Sequence, residues 1–195
     1  MAIQLSKGQG INLSKDHGLT HVEIEVTFDV DPAHPVKKHE MDVNVCAFEL
    51  KAKKAQFDEA FVFYNNKKSH SGAVTHDEDG GSIGDDKMYV DLAALDNSQD
   101  GIDEVSCIVE IYEGLKRGHY FGQFSHCTAH IVNPDTKEVI AEFKLTDDDS
   151  NATAVQMGSL VKKDGHWHFE AVGAGYQKGL ADFLTVYGLT AADEE

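Results

Sequence analysis

The chain has 195 residues, 41% of them hydrophobic and 26% charged, and its 17 Lys and Arg stand against 34 Asp and Glu, a formal net charge of −17. That balance argues against a nucleic-acid partner, because a phosphate backbone is bound by exchanging its counterions for Lys and Arg, and it disfavours an anionic membrane surface unless calcium bridges the two. A single domain spanning residues 1–195 is expected, long enough to bury roughly 70% of its unfolded surface without disulfide staples.

In chain order, Gly8-Gln9-Gly10 separates two short segments, Ile3 to Leu5 and Ile11 to Leu13, and predicts a hairpin-like opening. His21 to Val30 alternates strictly, with Val22, Ile24, Val26 and Phe28 against His21, Glu23, Glu25 and Thr27, the pattern of a half-buried strand. Asp31-Pro32-Ala33-His34-Pro35 breaks it. Asp42 to Leu50 alternates as well, with Val43, Val45 and Ala47 on one face and Asp42, Asn44, Cys46 and Phe48 on the other. That second face turns from polar to apolar along the strand, as expected for a metal site at the mouth of a core. Phe57 to Tyr64 and Met88 to Leu92 read as further strands, and Ala93-Ala94-Leu95 as a single helical turn.

Val105 to Tyr112 is nearly continuously apolar, broken by Ser106 and Glu110, and predicts a central strand. Gly114 to Gly118 is a connection. Phe121 to Val132 then sends His126, Thr128 and His130 to one face and Cys127, Ala129 and Ile131 to the other; Asn133-Pro134-Asp135-Thr136 turns it back into Glu138 to Leu145. An acidic loop runs from Thr146 to Ser150. Ala152 to Val161 and His166 to Val172 are strands joined by a turn at Lys163-Asp164-Gly165. Lys178 to Tyr187 is the one helix expected, with Leu180, Phe183, Leu184 and Tyr187 at helical spacing, and the acidic tail from Ala191 to Glu195 is expected to fray. Many short strands with Gly, Asn and Asp turns predict a mainly β fold, an antiparallel β-sandwich with a short C-terminal helix.

Three oxygen-rich clusters stand at the ends of strand-like runs between Met41 and Lys87. Asp42 and Asn44, two apart, leave a strand by the same face. Asn65 and Asn66 close the run Phe61-Val62-Phe63-Tyr64, and Asp77, Glu78, Asp79, Asp85 and Asp86 surround the glycines Gly80, Gly81 and Gly84. Crowded carboxylates and amides are the hard oxygen donors that Ca²⁺ takes six to eight at a time. The same residues also dominate solvated turns for conformational reasons, and no EF-hand pattern fits. Composition leaves both readings open.

The order of motifs resembles the tellurium-resistance TerD family. The resemblance rests on L-S-K-G-Q-G-I-N-L-S-K (Leu5 to Lys15), F-V-F-Y-N-N (Phe61 to Asn66), S-G-A-V-T-H (Ser71 to His76) and G-D-D followed by Y-V-D-L (Gly84 to Leu92). It continues through F-G-Q-F (Phe121 to Phe124), I-V-N-P-D-T (Ile131 to Thr136) and V-G-A-G-Y-Q-K-G-L (Val172 to Leu180), nearly the whole chain. It implies a cytoplasmic, calcium-binding β-sandwich tied to stress and tellurite resistance, acting with other proteins in a membrane-associated assembly. Calcium would be held by Asp42, Asn44, Asn65 or Asn66, Asp77, Asp79, Asp85 and Asp86. Where the family has D-x-D-x-S this chain has Asp42-Val43-Asn44-Val45-Cys46; its acidic loop is shorter, and Lys87 stands where the loop's final Glu is usual. Lys87 would place a cation beside the metal, so one ion is expected here where the family has two.

Other chemistry is less well supported. The three cysteines, Cys46, Cys107 and Cys127, are odd in number and widely spaced, which fits a reducing compartment and neither a zinc ribbon nor a disulfide framework. No apolar run approaches membrane-spanning length, and no signal segment opens the chain, so a cytoplasmic protein with no transmembrane segment is expected. Eleven histidines invite a transition-metal reading in which His126, His130, His166 and His168 face one another across strands, but clusters without a motif are weak signals. Glu113 and Gln123 are read as supports for their neighbours. No P-loop, G-x-S-x-G elbow or H-E-x-x-H is present, so a non-enzymatic protein is expected. The alternatives are a metal-free acidic interaction module and a thiol-dependent enzyme acting on oxyanions through Cys46. At −17 the metal-free chain is expected to stay monomeric.

Overall fold

The computed structural model describes residues 1–34, 41–78, 86–145 and 151–190. In chain order the elements are β1 (Ile3–Leu5), β2 (Gly10–Asn12), α1 (Leu13–Asp16), β3 (His21–Val30), β4 (Val43–Leu50), β5 (Phe61–Val62), β6 (Val74–Glu78), β7 (Asp86–Asp91) and α2 (Leu92–Asn97). There follow β8 (Glu104–Ile111), α3 (Gly114–Arg117), β9 (Phe124–Val132), β10 (Val139–Lys144), β11 (Ala154–Lys163), β12 (His166–Tyr176) and α4 (Leu180–Tyr187). The strands form two six-stranded sheets, ordered β1-β10-β9-β3-β7-β6 and β2-β12-β11-β8-β4-β5. All pairings are antiparallel except β1 with β10.

The alternation read in the sequence decides which face each strand buries. Val22, Ile24, Val26 and Phe28 of β3 meet Val43, Val45 and Ala47 of β4 and Val105, Cys107 and Val109 of β8 in the core between the sheets. The opposite face of β4 and β8 is also buried at one end. There Cys46, Phe48, Leu50 and Ile108 lie under Phe183 and Tyr187 of α4, and the Tyr187 hydroxyl is 2.8 Å from Ser106 Oγ. The helix ends at Gly188, in the left-handed conformation that closes a helix without a Cβ clash, and Lys54 Nζ donates to the Val186 carbonyl at 2.6 Å.

The fold departs from the sequence reading at several points. The opening is not a hairpin: β1 joins the first sheet and β2 the second, so the segment between them crosses from one sheet to the other. Phe57 to Tyr64 is not one strand, because a 3-10 turn at Asp58–Ala60 leaves only Phe61 and Val62 paired, with Ala47 and Phe48. The acidic stretch begins and ends on strands, Asp77 on β6 and Asp86 on β7. The helical turn expected at Ala93-Ala94-Leu95 is present within α2, and two short helices not expected, α1 and α3, accompany it. The loop at 146–150 and the tail at 191–195 lie outside the described residues. In β11 the register slips between Gln156 and Gly158 against both neighbours, and a Cβ at Gly158 would collide with the Glu170 carbonyl and the Phe169 ring.

Candidate metal centre

β5 covers β4 only at Ala47 and Phe48, and β4 also packs across the two layers against β6 and β7 of the other sheet. The polar end of β4 and the start of β7 are thereby brought together. Asp42 is anchored through its carbonyl, which accepts the Tyr112 N–H at 2.8 Å. Asn44 stands opposite Glu110 of β8, both are buried, and the Asn44 side chain hydrogen-bonds the Glu110 carboxylate. Asp86 Oδ2 lies 3.3 Å from Nε2 of His76, whose ring is fully enclosed. That contact is close enough for an ion pair but not aligned as a hydrogen bond, and Asp86 Oδ2 and both His76 nitrogens are buried without a hydrogen-bond partner among the described residues.

The electrostatics record the crowding. Burial pushes Asp42 above its usual carboxylate range, the Asp86 charge adds to this, and Arg117 opposes it. Burial raises Glu110 to about 7, against the Asn44 hydrogen bond and with help from Asp42. Burial, Glu110 and Asp86 together hold the Cys46 thiol well above its ordinary value, so Cys46 stays protonated. Aromatic rings wall one side. Tyr64 meets Tyr112 edge-on at 6.0 Å, and the Arg117 guanidinium sits 5.0 Å from the Tyr112 ring centroid while pairing with Glu113 at 3.0 Å. Glu110 also lines a cleft of about 360 Å³ with Glu113, Lys116, Thr153 and Lys178. Gln123 supports this region as expected, accepting from Tyr120 N and donating to the Gly118 carbonyl.

Not all the expected donors converge. Asn66 closes a tight turn with Phe63, its side-chain N–H donating to the Phe61 carbonyl at 2.7 Å, while Asn65 is exposed. Asp77 is exposed and pairs in register with Lys87, on the face of β6 opposite His76. Lys87 itself points away from Asp86, toward Glu25 at 3.4 Å and Glu23 at 3.5 Å, so the expected cation beside the metal is not there. Strand alternation is the reason: neighbours on β7 leave by opposite faces. Asp79 and Asp85 lie outside the described residues. Among the described residues no group of three or more His, Cys, Asp or Glu stands ready to hold a metal. The structure brings together Asp42, Asn44 and Asp86, and adds Glu110, His76 and Arg117. Glu110 was legible as the carboxylate that breaks the apolar run from Val105 to Tyr112; the parts played by His76 and Arg117 were not read from the sequence.

Residues 1–187 match the family model for the TerD domain. The chain belongs to the TerD family. Similar TerD-family proteins include the tellurium resistance protein TerD of an Alcaligenes species, 36% identical over 98% of this chain and 100% of that protein. General stress protein 16U of Bacillus subtilis (strain 168) is 34% identical over 97% of this chain and 98% of its own length. The crystal structure of the unknown-function protein SAV2460 superposes with a TM-score of 0.61 at 24% identity, covering 89% of this chain and 99% of that one, a likeness of fold. Among the described residues of this TerD-family chain, no helix is long and apolar enough to cross a membrane.

Proposed function

We propose that this chain is a calcium-binding, non-enzymatic protein of stress and tellurium resistance, acting in the cytoplasm with other proteins of a resistance assembly at the membrane surface. Asp42, Asn44 and Asp86 hold the ion, joined by Asp79 and Asp85, which adjoin β6 and β7 in sequence. Asp86 carries the reading. A carboxylate oxygen buried without a donor is costly unless a cation meets it, and Asp42, raised by burial and by Asp86, is a second acid under the same strain. Carboxylates and an amide fit Ca²⁺, whose flexible sphere tolerates an irregular set, better than Mg²⁺, which needs a tight octahedron.

Calorimetric titration of calcium into metal-stripped protein tests this. Calcium should bind, and Asp42→Asn or Asp86→Asn should weaken it at least tenfold. Absence of binding, or binding indifferent to both substitutions, would favour a metal-free interaction module whose acidic surface docks a partner.

A further inference from the structure

On the outer face of the first sheet, two imidazoles turn toward each other along β9. His126 and His130 are four residues apart with Thr128 between them, and Thr27 of β3 lies opposite Thr128. The Thr27 hydroxyl is 3.2 Å from His126 Nε2 and 2.8 Å from His130 Nε2, so both nitrogens aim at one point in front of the sheet. His166 and His168 belong to β12 in the other sheet, so the four-histidine grouping weighed and set aside from the sequence is divided. The remaining pair is better organised than its alternation with Thr128 suggested.

Its surroundings fix the chemistry. Glu142 of β10 lies opposite His130, with Oε1 3.4 Å from Nδ1, and Gln4 Nε2 donates to the other Glu142 oxygen at 2.6 Å. The Glu142 carboxylate is within ion-pair reach of Nδ1 but not aligned as a hydrogen bond; its charge favours the imidazole proton on that nitrogen and the lone pair on Nε2, the arrangement of the carboxylate–histidine pairs that support metal ligands. Since Thr27 has one proton to donate, it can serve only one ring as donor; His126 must then present its own N–H to the hydroxyl. Glu25 lies opposite His130 and Asp29 opposite His126, adding negative charge on the β3 side, with Lys144 opposite Thr128 and Lys87 beside Glu25 as the nearby cations.

We propose that His126 and His130 form a two-imidazole site for a divalent transition metal, with Cu²⁺ the strongest occupant, centred where the Thr27 hydroxyl now sits. Imidazole nitrogen and open tetragonal positions suit Cu²⁺, which heads the affinity order of the first-row divalent ions. Metal–nitrogen distances near 2.0 Å require each ring to close in by about 1 Å as the hydroxyl swings aside. Water fills the remaining positions. This site takes nitrogen donors and is separate from Asp42 and Asp86, so it stands or falls independently of calcium.

The test is Cu²⁺ binding to the full chain in excess Ca²⁺, followed by calorimetry and electron paramagnetic resonance. Wild type should hold one Cu²⁺ with the splitting of two imidazole nitrogens, and His126→Gln or His130→Gln should each weaken it at least tenfold. Thr27→Val removes the competing hydroxyl and should preserve or tighten binding, whereas Glu142→Gln should weaken it about tenfold by freeing the His130 ring. In the unsubstituted protein, Cu²⁺ should broaden the ring resonances of His126 and His130 before those of the other histidines, a readout that needs no variant to fold. Equal binding by wild type and the double Gln variant, or broadening that begins elsewhere, overturns the proposal.

Discussion

Burial lifts Glu110 from 4.5 to about 7, so between those values the folded chain keeps a proton that the unfolded chain has released. A folded-state value above the unfolded one means stability is complete at low pH and declines as pH rises through about 7; Asp42, raised in the same direction, adds to the decline. For metal-free protein the loss between pH 4.5 and 8 should be on the order of 3 kcal/mol. Urea unfolding in chelator at pH 5 and 8 measures it, and Glu110→Gln should flatten the slope; an equal slope in the variant would assign the effect elsewhere. Lys87 gives a contrasting case. Since it bridges Glu23 and Glu25 on the far face of β7, Lys87→Glu should leave calcium affinity unchanged while costing roughly 1–2 kcal/mol of stability, through lost pairing and new repulsion. A gain in calcium affinity would show that Lys87 reaches the metal after all.

At the scale of single elements, local backbone geometry yields two opposite substitutions. The turn Lys51–Lys54 closes with reciprocal backbone bonds, 2.9 and 3.1 Å, and holds Ala52 and Lys53 at φ 49° and 66°, a conformation that favours Asn and Gly. Ala52→Asn should stabilise by about 0.5–1 kcal/mol. At the β11 bulge the expectation reverses: Gly158→Ala forces a methyl into the Glu170 backbone and the Phe169 ring and should cost on the order of 3 kcal/mol. Thermal melts of both variants decide the signs. The same elements show what a sequence can disclose. Strands β3 and β9 were legible because one buried face imposes a period of two, β8 because a nearly unbroken apolar run marks a strand buried on both faces, and α4 because Phe183, Leu184 and Tyr187 repeat with the helix. The run Phe61-Val62-Phe63-Tyr64 has the composition of a strand but pairs only at Phe61 and Val62, where Phe61 stacks on its ladder partner Phe48; Phe63 and Asn66 then close a turn and Tyr64 meets Tyr112. Asp42, Asn44 and Asp86 could be named as donors, yet the pairing of His76 with Asp86 depends on the register of β6 against β7, which only tertiary packing sets.

For the molecule as a whole, charge and calcium act on one balance. At −17 the metal-free chain repels its own copies at low salt, so light scattering in chelator should report a monomer; a stable oligomer there would contradict this. Calcium at about a hundred times its Kd should stabilise the fold by about 2.7 kcal/mol, raising the melting temperature well above any effect of Mg²⁺. Unchanged melting in both ions would count against the metal centre. The N-terminal crossing also bears on the timing of synthesis. Ile3 pairs with Ala141 and Ile11 with Phe169, so during synthesis residues 1–12 have no sheet partner until residues more than a hundred positions later have followed. At roughly 5–20 residues per second that delay is on the order of ten seconds. Meanwhile β10 and β12 of one nascent chain can accept the opening segment of its neighbour as readily as their own. Rapid refolding at high concentration should therefore trap a dimer with exchanged N-termini, slow refolding at low concentration should not, and deleting residues 1–12 should abolish the exchange while leaving both sheets with a raw edge.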